Sequence, residues 1–193
     1  MATDKFDLCS QALVLVGGNR ITSFEGTSAE AITASALYED TVKELISVYR
    51  WRFATRLFQL TRLSASPEMR WDAAYQIPDD TELINAVLVN DVPIDFDRYE
   101  DKILCNAIVD DTVIAEITYR AEEAFWPGYF TTTLRLKLAS LFAVPIAEDP
   151  GKAAAYQQQF IGQLVAARKS DAQARTARKM PVGALRRFHG GRP

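Results

Sequence analysis

The stretch from residue 83 to residue 119 restricts the possible folds most, because short strand patterns follow one another there without room for a helix. The segments ELINAVLVN, KILCNA and TVIAEITYR are rich in β-branched residues. Asn90-Asp91, followed by Pro93, predicts a turn, and Asp110-Asp111 predicts a hairpin turn between the last two strands. Since βαβ folds need a helix between successive strands, they are excluded. We expect a small antiparallel β subdomain over residues 81–119.

Two helices are predicted before this β subdomain. The first is short and ends at Gly17-Gly18-Asn19, where glycine can cap a helix. The second is long, and its start reads as a capping box in which Thr27 and Glu30 bond to each other's backbone. Its apolar face consists of Ala31, Ala34, Tyr38, Val42, Leu45 and Tyr49.

The chain between the second helix and the β subdomain has a changing pattern. Trp51 and Phe53 predict an extended start, but the residues from Phe53 to Leu60 fit a strand or a helix equally well. In the later stretch WDAAYQIPDD, Pro78 forces the residue before it into extended backbone. Trp71 and Tyr75 are four residues apart, so they are expected on one side of a helical turn. We interpret this stretch as a hinge and packing element, with a binding pocket as the alternative.

Two further helices are predicted after the β subdomain. The first begins at Pro127 and is expected to stop at Pro145. The second runs from about Lys152 to about Arg178, and only its first half has an apolar face. The predicted fold class is α+β, mainly α: a helical bundle with an inserted antiparallel β subdomain and an extended basic C-terminal arm. The predicted regions are a helical body (1–80 and 120–178), the inserted β subdomain (81–119) and the arm (179–193).

Charge is distributed unevenly along the chain. Residues 1–167 contain 14 Lys and Arg against 24 Asp and Glu, whereas residues 168–193 contain eight Lys and Arg against one Asp. A basic terminal segment points to an acidic partner, either nucleic acid or a protein surface. The arginines around Trp51 also suggest binding to nucleic acid, because arginine contacts phosphate. The acidic body of the protein opposes such binding. We therefore favour Trp51 and Phe53 as core residues, with the arginines at a wet surface or a subunit contact.

The residues that catalysis usually requires are scarce. The only histidine, His189, lies in the Gly-rich tail, and Gly17-Gly18 lacks the spacing of a phosphate-binding loop. Cys9 and Cys105 are far apart and fit two buried free thiols. A virion cell-wall hydrolase is supported only by three acid pairs, namely Asp79-Asp80, Asp110-Asp111 and Glu122-Glu123. We therefore expect no enzyme, no cofactor and no metal.

Targeting signals are also missing from the sequence. The segment MATDKFDLCS carries acids where a secretory signal needs a basic and then an apolar part, and no apolar run approaches the roughly 18–20 residues of a membrane span. We expect a protein made in a cytosol, without a membrane.

The order of these features resembles that of the tail tubular protein A family, the head–tail adaptor proteins of tailed bacteriophages. The resemblance covers roughly residues 5–178. It depends most on two blocks about twenty residues apart, each set between the expected helices and strands. The matching residues of the first block are Trp51, Phe53 and Ala54, and those of the second are Trp71, Ala74, Tyr75, Gln76, Pro78 and Asp79.

The resemblance implies a structural ring component. Family members form twelve-fold rings under the portal protein of the capsid, offer an attachment surface to the tail nozzle or a further connector, and line the channel through which DNA passes. The expected location is the head–tail junction of the virion, after synthesis in the host cytoplasm. The alternative is a DNA-binding packaging or accessory protein that uses the basic tail.

For the basic segment of residues 168–193, which includes the arm, we expect docking on the portal protein. Its apolar anchors would be Leu185 and Phe188, and the expected charge partners are Arg175, Arg178, Lys179, Arg186 and Arg187. The rival hypothesis is contact between the arm and DNA.

Overall fold

The computed structural model describes residues 4–64, 67 and 70–174. In this part the chain is a mixed α+β protein, mainly α, as predicted. The four helices are α1 (Lys5–Val16), α2 (Ala29–Ser47), α3 (Gly128–Ala147) and α4 (Pro150–Gln173). The strands are β1 (Thr55–Gln59), β2 (Thr61–Arg62), β3 (Ala73–Gln76), β4 (Thr81–Val89), β5 (Val92–Ile94), β6 (Phe96–Tyr99), β7 (Lys102–Cys105) and β8 (Val113–Tyr119).

Local hydrogen bonds determine where the first two helices end and begin. As predicted, α1 ends at Gly17, which has a left-handed φ of 94°. The predicted capping box at the start of α2 is wrong, because Ser28 rather than Thr27 is the N-cap and its hydroxyl accepts a hydrogen bond from the backbone N–H three residues on. The Glu30 carboxylate instead accepts a hydrogen bond of 2.8 Å from the side chain of Asn19.

The central helix is α3, which packs against the other three helices. By length and composition it is the one helix in the described chain that could cross a membrane, with a mean hydropathy of 1.2. It also supplies the core, as the buried helix of a folded domain does. Its fully buried large side chains are Phe130, Leu134, Leu138 and Phe142.

Both ends of the α3–α4 connection differ from the prediction. Pro145 does not stop α3; it lies inside the helix, which ends at Ala147 with Glu148 in left-handed backbone at φ 51°. Because Pro145 is exposed in the last turn, water can satisfy the carbonyl group that its ring leaves without a partner. Helix α4 begins at Pro150 rather than at Lys152, and Asp149 caps it. The predicted continuation of α4 to Arg178 lies outside the described residues.

The strands form two antiparallel four-stranded sheets, with strand orders β1-β8-β4-β5 and β2-β3-β7-β6. The ambiguous segment after Trp51 is a 3-10 turn, Arg52–Ala54, followed by β1. Strand β1 pairs with β8, and β3 pairs with β7. Strands β1, β2 and β3 therefore belong to the same two sheets as the later strands, so strands occur before residue 81, where the β region is predicted to start.

The predicted turns have different outcomes. Asn90 and Asp91 form the tight β4–β5 turn as expected, with φ values of 48° and 67°. Asp110-Asp111 is not a hairpin turn, because β7 and β8 belong to different sheets. The predicted helical turn at Trp71 and Tyr75 is wrong too, since Tyr75 lies in β3, where it pairs across to Ile103 of β7.

Two apolar cores result, one among the helices and one between the sheets. The sheet core draws side chains from both sheets, including Tyr75, Val87, Ile103 and Ile117. Trp51 and Phe130 belong to the helical core. Tyr119, at the end of β8, packs against both cores, so it lies at the joint between the helices and the sheets.

A charged network ties α2 to the end of β8 at this joint. Arg120 donates hydrogen bonds to Glu39 (2.9 and 3.2 Å) and to Glu123 (2.7 Å), and the Tyr38 hydroxyl donates to Glu123 at 3.0 Å. Burial alone would raise the pKa of Glu123, but the hydrogen bond from Arg120, a backbone hydrogen bond, the charge of Arg120 and the hydrogen bond from Tyr38 together outweigh it and lower that pKa below its ordinary value. The ionised form of Glu123 is therefore favoured in the folded protein.

This network makes stability depend on pH. The folded-state pKa of Glu123 is lowered, so its contribution is present above its ordinary pKa of 4.5 and is lost as the pH falls through the lower folded value. We expect Glu123→Gln to reduce the free energy of unfolding at pH 7 by about 1–2 kcal/mol and to flatten its decline in acid. Urea titrations between roughly pH 3 and pH 7 measure both effects. Glu122→Gln, at the exposed neighbour, is the control; an equal response of the two variants would contradict the assignment.

Candidate functional site

Trp51, from the first block of the family resemblance, lies at the centre of the helical core. Its side chain is fully buried, and its ring centroid lies 4.9 Å from that of Tyr49 and 5.3 Å from that of Phe130. The indole Nε1 donates a hydrogen bond of 2.7 Å to the carbonyl oxygen of Leu45. Trp51 thus joins the end of α2, the start of β1 and the start of α3, as the core interpretation predicts.

The other two residues of this block are structural as well. The Phe53 ring is partly buried and contacts the Phe130 ring edge-on, with centroids 4.7 Å apart. Ala54 is completely buried at the end of the 3-10 turn, where a larger side chain would not fit. The block therefore positions the chain as it passes from helix to strand.

A buried carboxylate fixes the end of α4 next to this block. Asp171 has no exposed surface, and it accepts a hydrogen bond of 2.7 Å from the Tyr129 hydroxyl and two of 3.3 Å from the backbone N–H of Arg52. The Arg52 guanidinium lies 3.9 Å away. Burial and the Asp171 carboxylate raise the pKa of Tyr129, so its hydroxyl stays protonated and keeps donating. Burying a carboxylate is costly unless it is bonded in this way.

An open cleft of about 610 Å³ lies beside the end of α4. An ion pair between Arg50 and Glu116 borders it, and both arginines of the RWR segment line it. The full lining consists of Tyr49, Arg50, Arg52, Thr55, Glu116 and Ala172. Since Ala172 is among these residues, the chain leaves α4 at the edge of this cleft on its way to the basic arm.

In the second block of the resemblance, the two aromatic residues are buried. Trp71 is 8 % exposed, and its Nε1 donates to Asp97 at 3.0 Å. The Arg70 guanidinium lies over the Trp71 ring at 4.5 Å and pairs with Asp97. Tyr75 is buried in the sheet core. Both residues are therefore packed, on extended chain, and the hinge interpretation of this stretch stays a prediction.

The polar residues of the second block hold turns. The Gln76 side chain donates to the Asp101 carboxylate at 3.1 Å, and the carbonyl of Pro78 accepts from the Thr81 N–H at 3.0 Å. Asp79 is exposed. Its neighbour Asp80 binds the Arg56 guanidinium at 2.8 and 2.9 Å and so ties this turn to β1.

The acid pairs that could have indicated catalysis take part in contacts that stabilise the fold. One member of each pair makes a structural contact: Asp80 with Arg56, Asp111 with Asn90, and Glu123 with Arg120. Among the described residues no group of three or more His, Cys, Asp or Glu could hold a metal ion.

The two cysteines are buried and unpaired with each other, as expected. Burial raises the pKa of Cys9 to about 12 and that of Cys105 to about 11. Because only the thiolate is a strong nucleophile, both side chains are unreactive near neutral pH.

The residues predicted to dock on the portal are all in the part of the chain that the structure does not describe. They are Arg175, Arg178, Lys179, Leu185, Arg186, Arg187 and Phe188. The structure adds three residues that the sequence did not single out, namely Arg120, Tyr129 and Asp171. Asp171 lies in the half of the last helix for which the sequence shows no apolar face. The sequence therefore carries no local signal that this carboxylate is buried.

Comparison with known proteins leaves the resemblance untested. No protein-family model matches the chain, and no curated protein matches it.

The anchoring role of Asp171 can be tested by a substitution. Asp171→Ala would leave the Tyr129 hydroxyl and the Arg52 N–H buried without an acceptor, so we expect the free energy of unfolding to fall by about 1–3 kcal/mol. Lys169→Ala, an exposed position on the same helix, is the matched control. Urea unfolding followed by Trp fluorescence provides the measurement. Equal stability of the two variants would show that Asp171 does not anchor α4.

Proposed function

We propose that the chain is a structural head–tail adaptor of a tailed phage or phage-like particle, of the tail tubular protein A type. The observation that carries the proposal is the structural use of both aromatic blocks: Trp51 is buried in the helical core, and Trp71 is buried and hydrogen-bonded to Asp97 of β6. A protein whose distinctive residues build its shape is suited to act through its surfaces. The adaptor body is a helical bundle that carries the β region and the extended basic arm.

The charge distribution supports this proposal. The acidic balance of residues 1–167 opposes nonspecific binding of DNA, which a channel component must allow to slide past. A ring of about twelve copies, as the resemblance implies, would sit under the portal at the head–tail junction and attach the tail nozzle or next connector. It would require no cofactor and no catalytic group.

The arm is proposed to dock on the portal, and the anchored end of α4 supports that role. Because Asp171 bonds to Tyr129 and to the backbone of Arg52, the arm leaves the body at a defined place beside the cleft. A basic segment with a fixed origin meets a nearby acidic surface at high effective concentration.

The decisive variant is a truncation after Ala174. A truncation after Arg168 would also remove Asp171 and weaken α4, so loss of binding could then reflect loss of structure. We expect the chain that ends at Ala174 to keep the thermal stability of the full chain and to lose binding to purified portal rings, measured by co-sedimentation. Full-length protein with Arg186→Gln and Arg187→Gln should bind more weakly than wild type. Portal binding retained by the truncated chain would refute docking by the arm.

The second candidate function is a DNA-binding packaging or accessory protein. It is favoured by the eight Lys and Arg among residues 168–193. In that case the same truncation would leave portal binding unchanged and would remove a DNA affinity that falls steeply with salt.

A further inference from the structure

An exposed aliphatic tip stands at one end of the β region. Its three side chains are Val92 in β5 and Ile108 and Val109 in the β7–β8 connection, and they are 62 %, 69 % and 79 % exposed. Apolar side chains grouped at an exposed position are typical of interaction sites. These three residues are called the apolar tip below.

Hydrogen bonds hold the two loops of the apolar tip together. The Asn90 side chain donates to Asp111 at 2.8 Å and accepts from the Thr112 N–H at 3.3 Å. The Asp111 carboxylate also accepts from the Ile108 N–H at 2.8 Å. Because the loops are ordered before any contact forms, docking of the tip would cost little conformational entropy.

A pocket of about 280 Å³ opens on the helices α1, α3 and α4. Val14 and Leu15 of α1 form much of its apolar wall and are 51 % and 38 % exposed. Arg20 and Arg135 lie at its edge, and Arg135 is held by a hydrogen bond of 3.0 Å to Gln11. The remaining lining residues are Leu136, Tyr156 and Gln159; we call this the body pocket.

The apolar tip and the body pocket are complementary in charge as well as in hydrophobicity. Asp91 and Asp110 are exposed beside the tip, whereas Arg20 and Arg135 border the pocket. Within the described chain, none of these four residues takes part in an ion pair. Asp7 lines an adjoining cleft together with Arg20. An apolar centre with opposite charges at its rim is the usual arrangement of a specific protein interface.

The apolar tip and the body pocket of one copy lie too far apart to contact each other. Strand β4 starts at Thr81 beside Tyr119 and the Arg120 network on α2, and it ends at Val89 next to the tip. At about 3.3 Å per residue, its nine residues place the tip roughly 25 Å from that joint. The body pocket is formed by the other three helices. A contact between the tip and the pocket must therefore join two molecules.

We propose that the apolar tip of one copy inserts into the body pocket of the next copy. Such a head-to-tail contact uses two different surfaces, so every copy has one of each and the contacts can close into a ring. The inference rests on the proposed adaptor function and names the contact that would build its ring. Three aliphatic side chains bury less area than a stable dimer interface needs, so a single contact is weak and forms mainly when a ring is being assembled.

Disulfide trapping tests a weak contact directly. A Val109→Cys variant is mixed with a Val14→Cys variant under mild oxidation, and mixed dimers are quantified by mass spectrometry; the native cysteines are buried. Ile32→Cys, at a 59 % exposed position on α2 outside the pocket, replaces Val14→Cys in the control mixture. We expect trapping with Val14→Cys to be at least about tenfold faster, because docking raises the effective concentration of the two thiols. Equal rates would overturn the proposal.

A charge exchange provides a second readout. Asp110→Arg on the tip should slow trapping, and Arg135→Glu on the pocket partner should restore it. Trapping that is unaffected by Asp110→Arg would contradict the charge pairing at the rim. Asp110 is exposed, whereas Arg135 is half-buried and bonded to Gln11, so the thermal stability of both variants is measured before trapping.

The outcomes separate this inference from the proposed function. Selective trapping by a chain that does not bind portal rings would support the contact between copies and refute the adaptor role. Portal binding together with unselective trapping would support the adaptor role and refute the contact between copies. If Val14→Cys is trapped instead by the portal protein in a mixture of the two, the body pocket is a portal site and the contact between copies is overturned.

Discussion

The buried indole of Trp51 is the interaction on which the rest of the structure depends. Its hydrogen bond to the Leu45 carbonyl closes the end of α2, and its ring packs on Phe130 at the start of α3. The backbone that follows it leads directly into β1, and the neighbouring N–H of Arg52 binds Asp171 on α4. Trp51 therefore aligns α2 and α3, and its neighbour Arg52 ties this point to α4, so a loss of the Trp51 packing would affect the helical core.

The helices were predictable because their signals are local. Gly17 ends α1 and the apolar spacing of α2 follows its buried face, so the errors are confined to caps and ends, such as Ser28 and Pro145. The strands β1 and β3 were not predictable, because their partners β8 and β7 lie far away in sequence. Pairing over such distances depends on tertiary packing, which a local pattern does not contain.

In the candidate site, too, residues with a local sequence signal were predictable and residues that depend on distant contacts were not. Sequence reasoning identified Trp51, Phe53 and Trp71, since large aromatic residues are usually buried. It missed Asp171, because a lone carboxylate in a polar helix looks like a solvated residue until Tyr129 and Arg52 are brought next to it. The buried blocks and the anchored end of α4 show that these residues stabilise the fold, which supports the proposed adaptor that acts through its surfaces.

The most direct test of this account is electron microscopy of the full chain mixed with purified portal rings. The account predicts a second ring of the chain stacked coaxially on each portal ring. Bare portal rings, with the chain bound to added DNA as filaments or smears, would contradict it and favour the DNA-binding alternative.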